Sequence, residues 1–233
     1  MMKKINFAIL NFPGSNCERD CFYIVSKILR QNCKIIWHNE FSISKVDCII
    51  VPGGFSYGDY LRTGSIASQS RISNALIKFA NQGGTVIGIC NGFQILTELK
   101  LLPGTLVRNK NLKFICKDIN LKVNKNSRFT NLYNNNEVIR IPIAHAEGNY
   151  YADKKTLKKL KDNDQIIFSY CNENGDITNE SNPNGSLLNI AGITNKKGNV
   201  IGLMPHPERV SEKVFNNTDG IKFFKSVVNY HNY

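Results

Sequence analysis

Two short segments carry residue types that can do chemistry together. One is Gly88-Ile89-Cys90-Asn91-Gly92, and the other, far downstream, is His206-Pro207-Glu208. The first sets small residues two positions either side of a cysteine, after the apolar β-type run Thr85-Val86-Ile87-Gly88-Ile89. A strand that turns sharply into a helix there presents the Cys90 sulfur at the carboxyl edge of a sheet, as a nucleophile elbow does. The glycines leave room for that strained turn. The second segment offers a base and its orienter. In an extended backbone residues i and i+2 share a side, so His206 and Glu208 face the same way. Pro207 fixes its own φ and biases His206 away from the helical region. Cysteine, histidine and carboxylate make a nucleophile, a general base and a group that holds the imidazole tautomer. Either motif alone has an ordinary structural reading, as an inert apolar thiol or a surface turn. Together they favour nucleophilic catalysis by Cys90, His206 and Glu208.

These residues need a scaffold, and the chain reads as alternating strands and helices. Ile5 to Leu10 reads as a buried strand. Ser15 or Asn16 caps a helix to about Gln31, with Glu18 and Asp20 well placed in its first turn. Lys34 to His38 and Cys48 to Val51 are short apolar strands. Ser65 to Gln82, with apolar residues at 66, 72, 76, 79 and 80, reads as one amphipathic helix ended by Gly83-Gly84. Strand 85–89 leads into the elbow, and the helix after it carries Phe93, Ile95, Leu96 and Leu99. This alternation predicts an α/β fold with a mostly parallel open sheet flanked by helices.

After Pro103-Gly104 the rhythm changes. Ile115, Ile119, Leu121 and Val123 share one face of an extended segment, and an Asn-rich loop spans 131–136. Antiparallel strands added at a sheet edge are expected here. Ile166 to Cys171, Leu188 to Ile193 and Val200 to Met204 are further strands, and a helix over Gly220 to Tyr230 closes the chain. No repeat or linker divides the sequence, so 1–233 is expected to be a single domain.

Composition excludes some roles. The formal charge is +12, which raises nucleic-acid binding, but the basic residues are dispersed among asparagines. The densest group, Lys154, Lys155, Lys158, Lys159 and Lys161, interleaves with Leu157 and Leu160 as on a surface helix. No nucleic-acid module signature is present, so no nucleic-acid partner is expected. No apolar run approaches the ~20 residues of a membrane span, and no membrane association is expected. The apolar start is interrupted by Asn11 and Pro13-Gly14 without a cleavage-site pattern. Seven cysteines with no secretory signal fit a reducing compartment, so a cytoplasmic location is expected.

Pro52-Gly53-Gly54-Phe55-Ser56-Tyr57-Gly58-Asp59 follows the strand that ends at Val51. In open α/β sheets the site lies at the carboxyl ends of strands, where a glycine pair lets backbone approach a ligand. Acyl chemistry at Cys90 creates an oxyanion that needs backbone N–H donors. The amides of Asn91 and Gly54 are the candidates. The Gly53–Gly54 peptide is expected to turn at little steric cost, which gives a partner a way to control that hole. His38, His145 and His231 show no ligand spacing with the cysteines, so no metal is expected.

Gly-Ile-Cys-Asn-Gly-Phe-Gln at 88–94 with His206-Pro207-Glu208 resembles the class I glutamine amidotransferases. Phe12-Pro13-Gly14-Ser15-Asn16-Cys17, the 52–59 segment, Ala144-His145-Ala146-Glu147-Gly148 and Met204-Pro205-His206-Pro207-Glu208-Arg209 narrow the likeness. Together they resemble the glutaminase subunits of phosphoribosylformylglycinamidine synthase. Ala146 departs from the pattern, where glycine is expected. The resemblance implies a class I glutamine amidotransferase-like (flavodoxin-like) fold and glutamine as substrate. It implies substrate contacts from Gly53, Gln94, Ala146 and Glu147. It also implies ammonia transfer to a large synthetase subunit, with a small accessory subunit beside it. The chain has no Gly-x-x-x-x-Gly-Lys-Ser/Thr loop, so ATP and Mg are expected on that synthetase, with no cofactor in this chain.

Overall fold

A computed structural model describes residues 4–232; residues 1–3 and 233, the ends of the expected domain, lie outside it. The elements are β1 (Asn6–Asn11), α1 (Glu18–Tyr23), β2 (Asn32–Trp37), β3 (Cys48–Val51), α2 (Ser65–Ser68), α3 (Arg71–Asn81), β4 (Thr85–Ile89) and α4 (Asn91–Glu98). Then come β5 (Thr105–Val107), β6 (Ile115–Val123), β7 (Val138–His145), β8 (Asn149–Tyr151), α5 (Lys154–Asp162), β9 (Ile166–Cys171), β10 (Ile190–Thr194), β11 (Val200–Leu203) and α6 (Ile221–Tyr230). No described helix is long and apolar enough to cross a membrane.

Nine strands form one sheet in the order β2-β1-β3-β4-β11-β10-β9-β6-β7. From β2 to β11 neighbours run parallel, and from β11 to β7 antiparallel. β3, β4 and β11 are buried at every residue. This is why each reads as an unbroken apolar run: helices cover both faces of a central parallel strand. Register aligns their carboxyl ends, with Gly88 beside Val51 and Ile89 beside Leu203. The loop at Gly53-Gly54, the elbow at Cys90 and the segment at His206 therefore leave the sheet at the same edge.

Two helices differ from expectation. The segment 65–82 is two helices, not one. The Ser70 and Ser73 hydroxyls donate to the Ala67 carbonyl at 2.7 and 3.0 Å, and Ser68 donates to Ser65 at 2.6 Å. Serine hydroxyls that bond nearby backbone compete with helix continuation. The helix expected over 16–31 starts later and changes pitch. Cys17 occupies the N-cap without a side-chain capping bond, and the expected cap Ser15 is engaged elsewhere, its Oγ accepting from the Phe12 amide at 3.1 Å. After Tyr23 the chain widens into a π-turn over Ile24–Ile28, with Leu29 N–H bonding Ile24 O at 2.9 Å. The lysine-rich helix forms as expected. Asp153 caps α5 through the Thr156 amide at 2.6 Å, and Leu160 turns inward.

The antiparallel half curls. Three strands separate β7 from β11 in sheet order, yet His206 N–H donates to the Pro142 carbonyl at 2.9 Å. The edge strand is thus folded back over the carboxyl end of β4. A two-stranded antiparallel ribbon, β5 with β8, extends the same wall.

Candidate functional site

The elbow is built by close backbone packing. Cys90 has φ 50° and ψ −104°, a strained conformation between β4 and α4. Its amide still donates to Leu203 O at 2.8 Å, so the turn begins only after the strand bond is made. A Cβ on Gly88 would sit 2.5 Å from Leu96 Cδ1 and 2.8 Å from the Gly92 backbone, and one on Gly92 would overlap the Val51 carbonyl. Gly92→Ala is therefore expected to push β3 from the elbow. The cost should be about 1–3 kcal/mol, which lowers the melting temperature by several degrees in a chain of this size. An unchanged melting curve would show that the elbow does not need this contact.

Cys90, His206 and Glu208 are all buried, and the fold brings them together. His206 Nδ1 and Glu208 Oε1 are 2.6 Å apart. The expected extended geometry of this segment is corrected. His206 has φ −107° and ψ 83°, and Pro207–Val210 is a 3₁₀ turn with Pro207 at its first position. The first turn of that helix, not strand alternation, swings Glu208 back to the ring. The Cys90 thiol donates to Ala144 O at 3.7 Å, leaving His206 Nε2 buried without a hydrogen bond. Catalytic contacts are often this loose before substrate arrives. Burial alone would push the imidazole down. The charges of Glu208 and then Cys90 outweigh it and hold His206 well above its ordinary value.

Behind the ring, Cys17 Sγ lies 3.9 Å from His206 Nδ1 and accepts a hydrogen bond from Arg209 Nη2 at 3.2 Å. Gly53 also sits behind the ring: a Cβ there would stand 2.8 Å from His206 Cε1. The Gly53 carbonyl accepts from the amides of Asn16 and Cys17, both at 3.2 Å. The expected low-cost turn of the Gly53–Gly54 peptide is corrected by these bonds. Rotation would break both, at about 1–3 kcal/mol. In a trans peptide the Gly54 N–H points opposite to that carbonyl, away from the Asn16–Cys17 segment.

A cavity of about 390 Å³ opens at Cys90. Its wall includes Gly54, Gln94, Ala146 and Glu147, four of the residues expected at the site, whereas Gly53 is outside it. The Gln94 side chain is already engaged. It donates to Glu147 O at 2.6 Å and accepts from Asn91 Nδ2 at 3.0 Å, tying α4 to the loop after β7. Ala146 O accepts the Asn109 amide at 2.8 Å, which fixes the ribbon against that loop.

Among the wall residues to which the sequence reading gave no site role are the polar Asp59, Thr63, Arg108 and His145. Thr63 Oγ1 donates to Glu147 Oε2 at 2.5 Å, and Arg108 Nε lies 3.9 Å from Glu147 Oε1. Asp59 is pushed up to about 6 by burial and by the nearby charge of Glu147, and its Oδ1 is buried without a partner. Asp59 stood in the quoted 52–59 segment, directly after Gly58, and takes a left-handed φ of 56°. Arg108 had no local signal, because the short ribbon that delivers it has too few residues to show a pattern. Among the described residues the only metal-type donor cluster is Cys17, His206 and Glu208, which overlaps the triad.

Comparison with known proteins agrees with this geometry. Residues 4–231 match the family model of CobB/CobQ-like glutamine amidotransferase domains. A phosphoribosylformylglycinamidine synthase subunit PurQ from Moorella thermoacetica is 52% identical over 97% of this chain and 96% of its own. One from Synechocystis is 53% identical over 95% and 99%. The solved structure of PurLQS from Thermotoga maritima includes a chain that superposes with a TM-score of 0.86. That chain is 40% identical, covering 98% of this chain and all of its own. A Thermotoga maritima glutamine amidotransferase at 15% identity and a TM-score of 0.57 shares the fold. The chain belongs to the class I glutamine amidotransferases, in the family of CobB/CobQ-like glutamine amidotransferase domains.

Proposed function

We propose that this chain, as one domain, is the glutaminase subunit of phosphoribosylformylglycinamidine synthase. It hydrolyses glutamine to glutamate and hands the ammonia to a synthetase. The observation that carries the reading is what meets at Cys90. It joins a buried His206–Glu208 pair to a cavity whose wall carries Arg108 beside Glu147, and Asp59. A free amino acid offers an ammonium and a carboxylate, and that wall offers partners for both. Cys90 passes its thiol proton to His206 Nε2, and the sulfur attacks the side-chain amide carbon. The amides of Asn91 and Gly54 receive the oxyanion. The imidazolium of His206 protonates the leaving nitrogen, and ammonia departs. Neutral His206 then activates water against the thioester, and Glu208 holds its tautomer throughout. Gln94 and Ala146 act by holding the loop that carries Glu147.

The test is glutamate release by the purified chain, alone and with its synthetase. No release in either state removes the reading. Arg108→Ala should raise KM for glutamine about tenfold or more with kcat little changed, since a lost charged contact is worth about 1.5–3 kcal/mol. A fall in kcat alone would take Arg108 out of substrate binding.

The partner side of the proposal rests on the rim. Phe55 and Leu112 line the cavity and are exposed, and the ring of the exposed Phe114 lies 6.4 Å from that of Phe55. The exposed Tyr60 and Leu61 stand in sequence between the wall residues Asp59 and Thr63, with Leu61 at 91% and Leu112 at 75%. Such an apolar collar fits a covering protein. The large synthetase subunit, which would hold ATP and Mg, is proposed to seat there, with a small accessory subunit in the complex and a cytoplasmic setting. Covering the mouth excludes water and completes the site. Turnover of the chain alone should therefore be low and rise on assembly. Leu61→Asp should lose most of that rise and weaken assembly in sedimentation. A full rise with Leu61→Asp would place the contact elsewhere.

A further inference from the structure

The cavity holds a second histidine that the mechanism above does not use. His145 is 3% exposed and lines the cavity with Cys90. Its tautomer can be deduced from its neighbour. Asn109 Nδ2 donates to the Lys113 and His145 carbonyls, both at 2.8 Å, so the Asn109 amide has one orientation. Asn109 Oδ1 then accepts from Gly148 N–H at 3.0 Å and faces His145 Nδ1 at 3.0 Å. An acceptor there requires the ring proton to be on Nδ1. Nε2 therefore carries a lone pair, and it is buried with no partner. Burial and the charge of His206 push the ring down to about 4, so it stays neutral near neutral pH. The ring lies against Gly148, in the space a Cβ would take, and its Nδ1 contact with Asn109 sets its orientation.

A neutral, unpartnered acceptor on a residue that lines the cavity is open to a donor from the substrate. Position selects which one. The preceding residue, Ala144, accepts from the Cys90 thiol at 3.7 Å, and His145 and Cys90 line the same cavity. The ring thus lies at the reacting end. In the glutaminase reading Asp59 and Glu147 are assigned to the substrate's ammonium.

Building on the glutaminase reading, we propose that His145 Nε2 accepts an N–H of the scissile carboxamide and thereby selects an amide over oxygen analogues. One N–H held by His145 fixes rotation about the C–N bond. As the carbon becomes tetrahedral, the nitrogen lone pair is left free for the proton on His206 Nε2. No atom of His145 gains or loses a proton. A γ-ester has no N–H to offer, and the carboxylate of the glutamate product meets the lone pair with repulsion. Sites built around a substrate N–H discriminate strongly against analogues that lack it.

The experiment compares glutamine with glutamate γ-methyl ester in the assembled enzyme. His145→Phe keeps a flat ring and removes the acceptor. It should lower kcat/KM for glutamine about 10- to 100-fold, the range expected when one buried hydrogen-bond partner is lost, and leave the ester within about twofold. His145→Gln, with an amide oxygen in reach, should recover part of the loss. Equal losses for both substrates would mean a structural role and overturn the inference, as would no loss at all. If His145→Phe does not fold, the Nε2 nitrogen resonance in a Cys90→Ala enzyme decides the matter. It should move with glutamine and not with the ester, and an unmoved resonance overturns the inference. Failure of the unaltered enzyme to cleave either substrate overturns the glutaminase reading and this inference with it.

Discussion

Cys90→Ser is expected to lower glutamine-dependent synthesis by roughly four orders of magnitude or more and to leave synthesis from ammonium intact. The size of the loss follows from three features of the elbow. Cys90 is the only nucleophile on the cavity wall that also sits at a strained strand-to-helix turn. A serine hydroxyl, with its much higher pKa, is poorly activated by an imidazole poised against a thiol. Members of a triad act as a unit, so removing one forfeits most of what the set contributes. The sparing of ammonium-dependent synthesis follows from the division of labour in the proposed complex, where the ATP-dependent step lies on another chain. Serine is smaller than cysteine and fits the φ of 50° no worse, so the fold should persist. Both activities should be assayed in complexes that co-elute at wild-type stoichiometry. Loss of both in such a complex would put the synthetase chemistry, or a channel essential to it, within reach of Cys90.

Much of this arrangement was legible in the sequence, and the reason is local. The parallel half of the sheet comes from runs such as Cys48–Val51 and Thr85–Ile89, buried along their whole length, and a run of that kind is its own signal. The elbow is legible because the motif is contiguous and Gly88 is forced by neighbours within eight residues, Leu96 and the Gly92 backbone, although Gly92 itself answers to the distant Val51 carbonyl. What the sequence hid is long-range. No spacing indicates that β7 curls back until Pro142 bonds His206, or that a three-residue strand, Thr105–Val107, brings Arg108 to Glu147. The pairing of His206 with Glu208 was found for an incomplete reason. Two residues apart is close on a strand and also across the start of a 3₁₀ turn, and the proline that argued against α-helix suits the first position of that turn. The Gly53–Gly54 peptide shows the reverse case. Two glycines predict freedom, but the amides of Asn16 and Cys17 remove it, and nothing near residue 53 announces them.

His206→Ala should be nearly as damaging as Cys90→Ser, and Glu208→Gln milder but with a displaced pH profile. His206 takes part in proton transfer at both steps, so its loss should cost about three to four orders of magnitude in kcat. Glutamine at 208 still offers an oxygen to the proton on Nδ1, so orientation survives and only the charge is lost. The charge matters because the ring is buried: burial pushes the imidazole down, and the charge of Glu208 is the foremost influence holding it up. Without that charge burial prevails, and the imidazolium that protonates the leaving nitrogen disappears at lower pH. The alkaline limb of kcat/KM should therefore shift toward neutrality, so that the variant loses more activity above neutral pH than near it. Stability obeys the same sign. A group whose folded pKa is raised stabilises the fold fully below its ordinary value of 6.5 and loses that contribution as pH rises through the folded value. Melting curves of the wild type should accordingly fall across that window, and those of Glu208→Gln should be flatter there. Rate profiles of both enzymes with glutamine, together with melting curves over the same range, provide the check. A Glu208→Gln enzyme with wild-type kcat and an unmoved alkaline limb would remove Glu208 from the triad, despite its 2.6 Å contact with Nδ1.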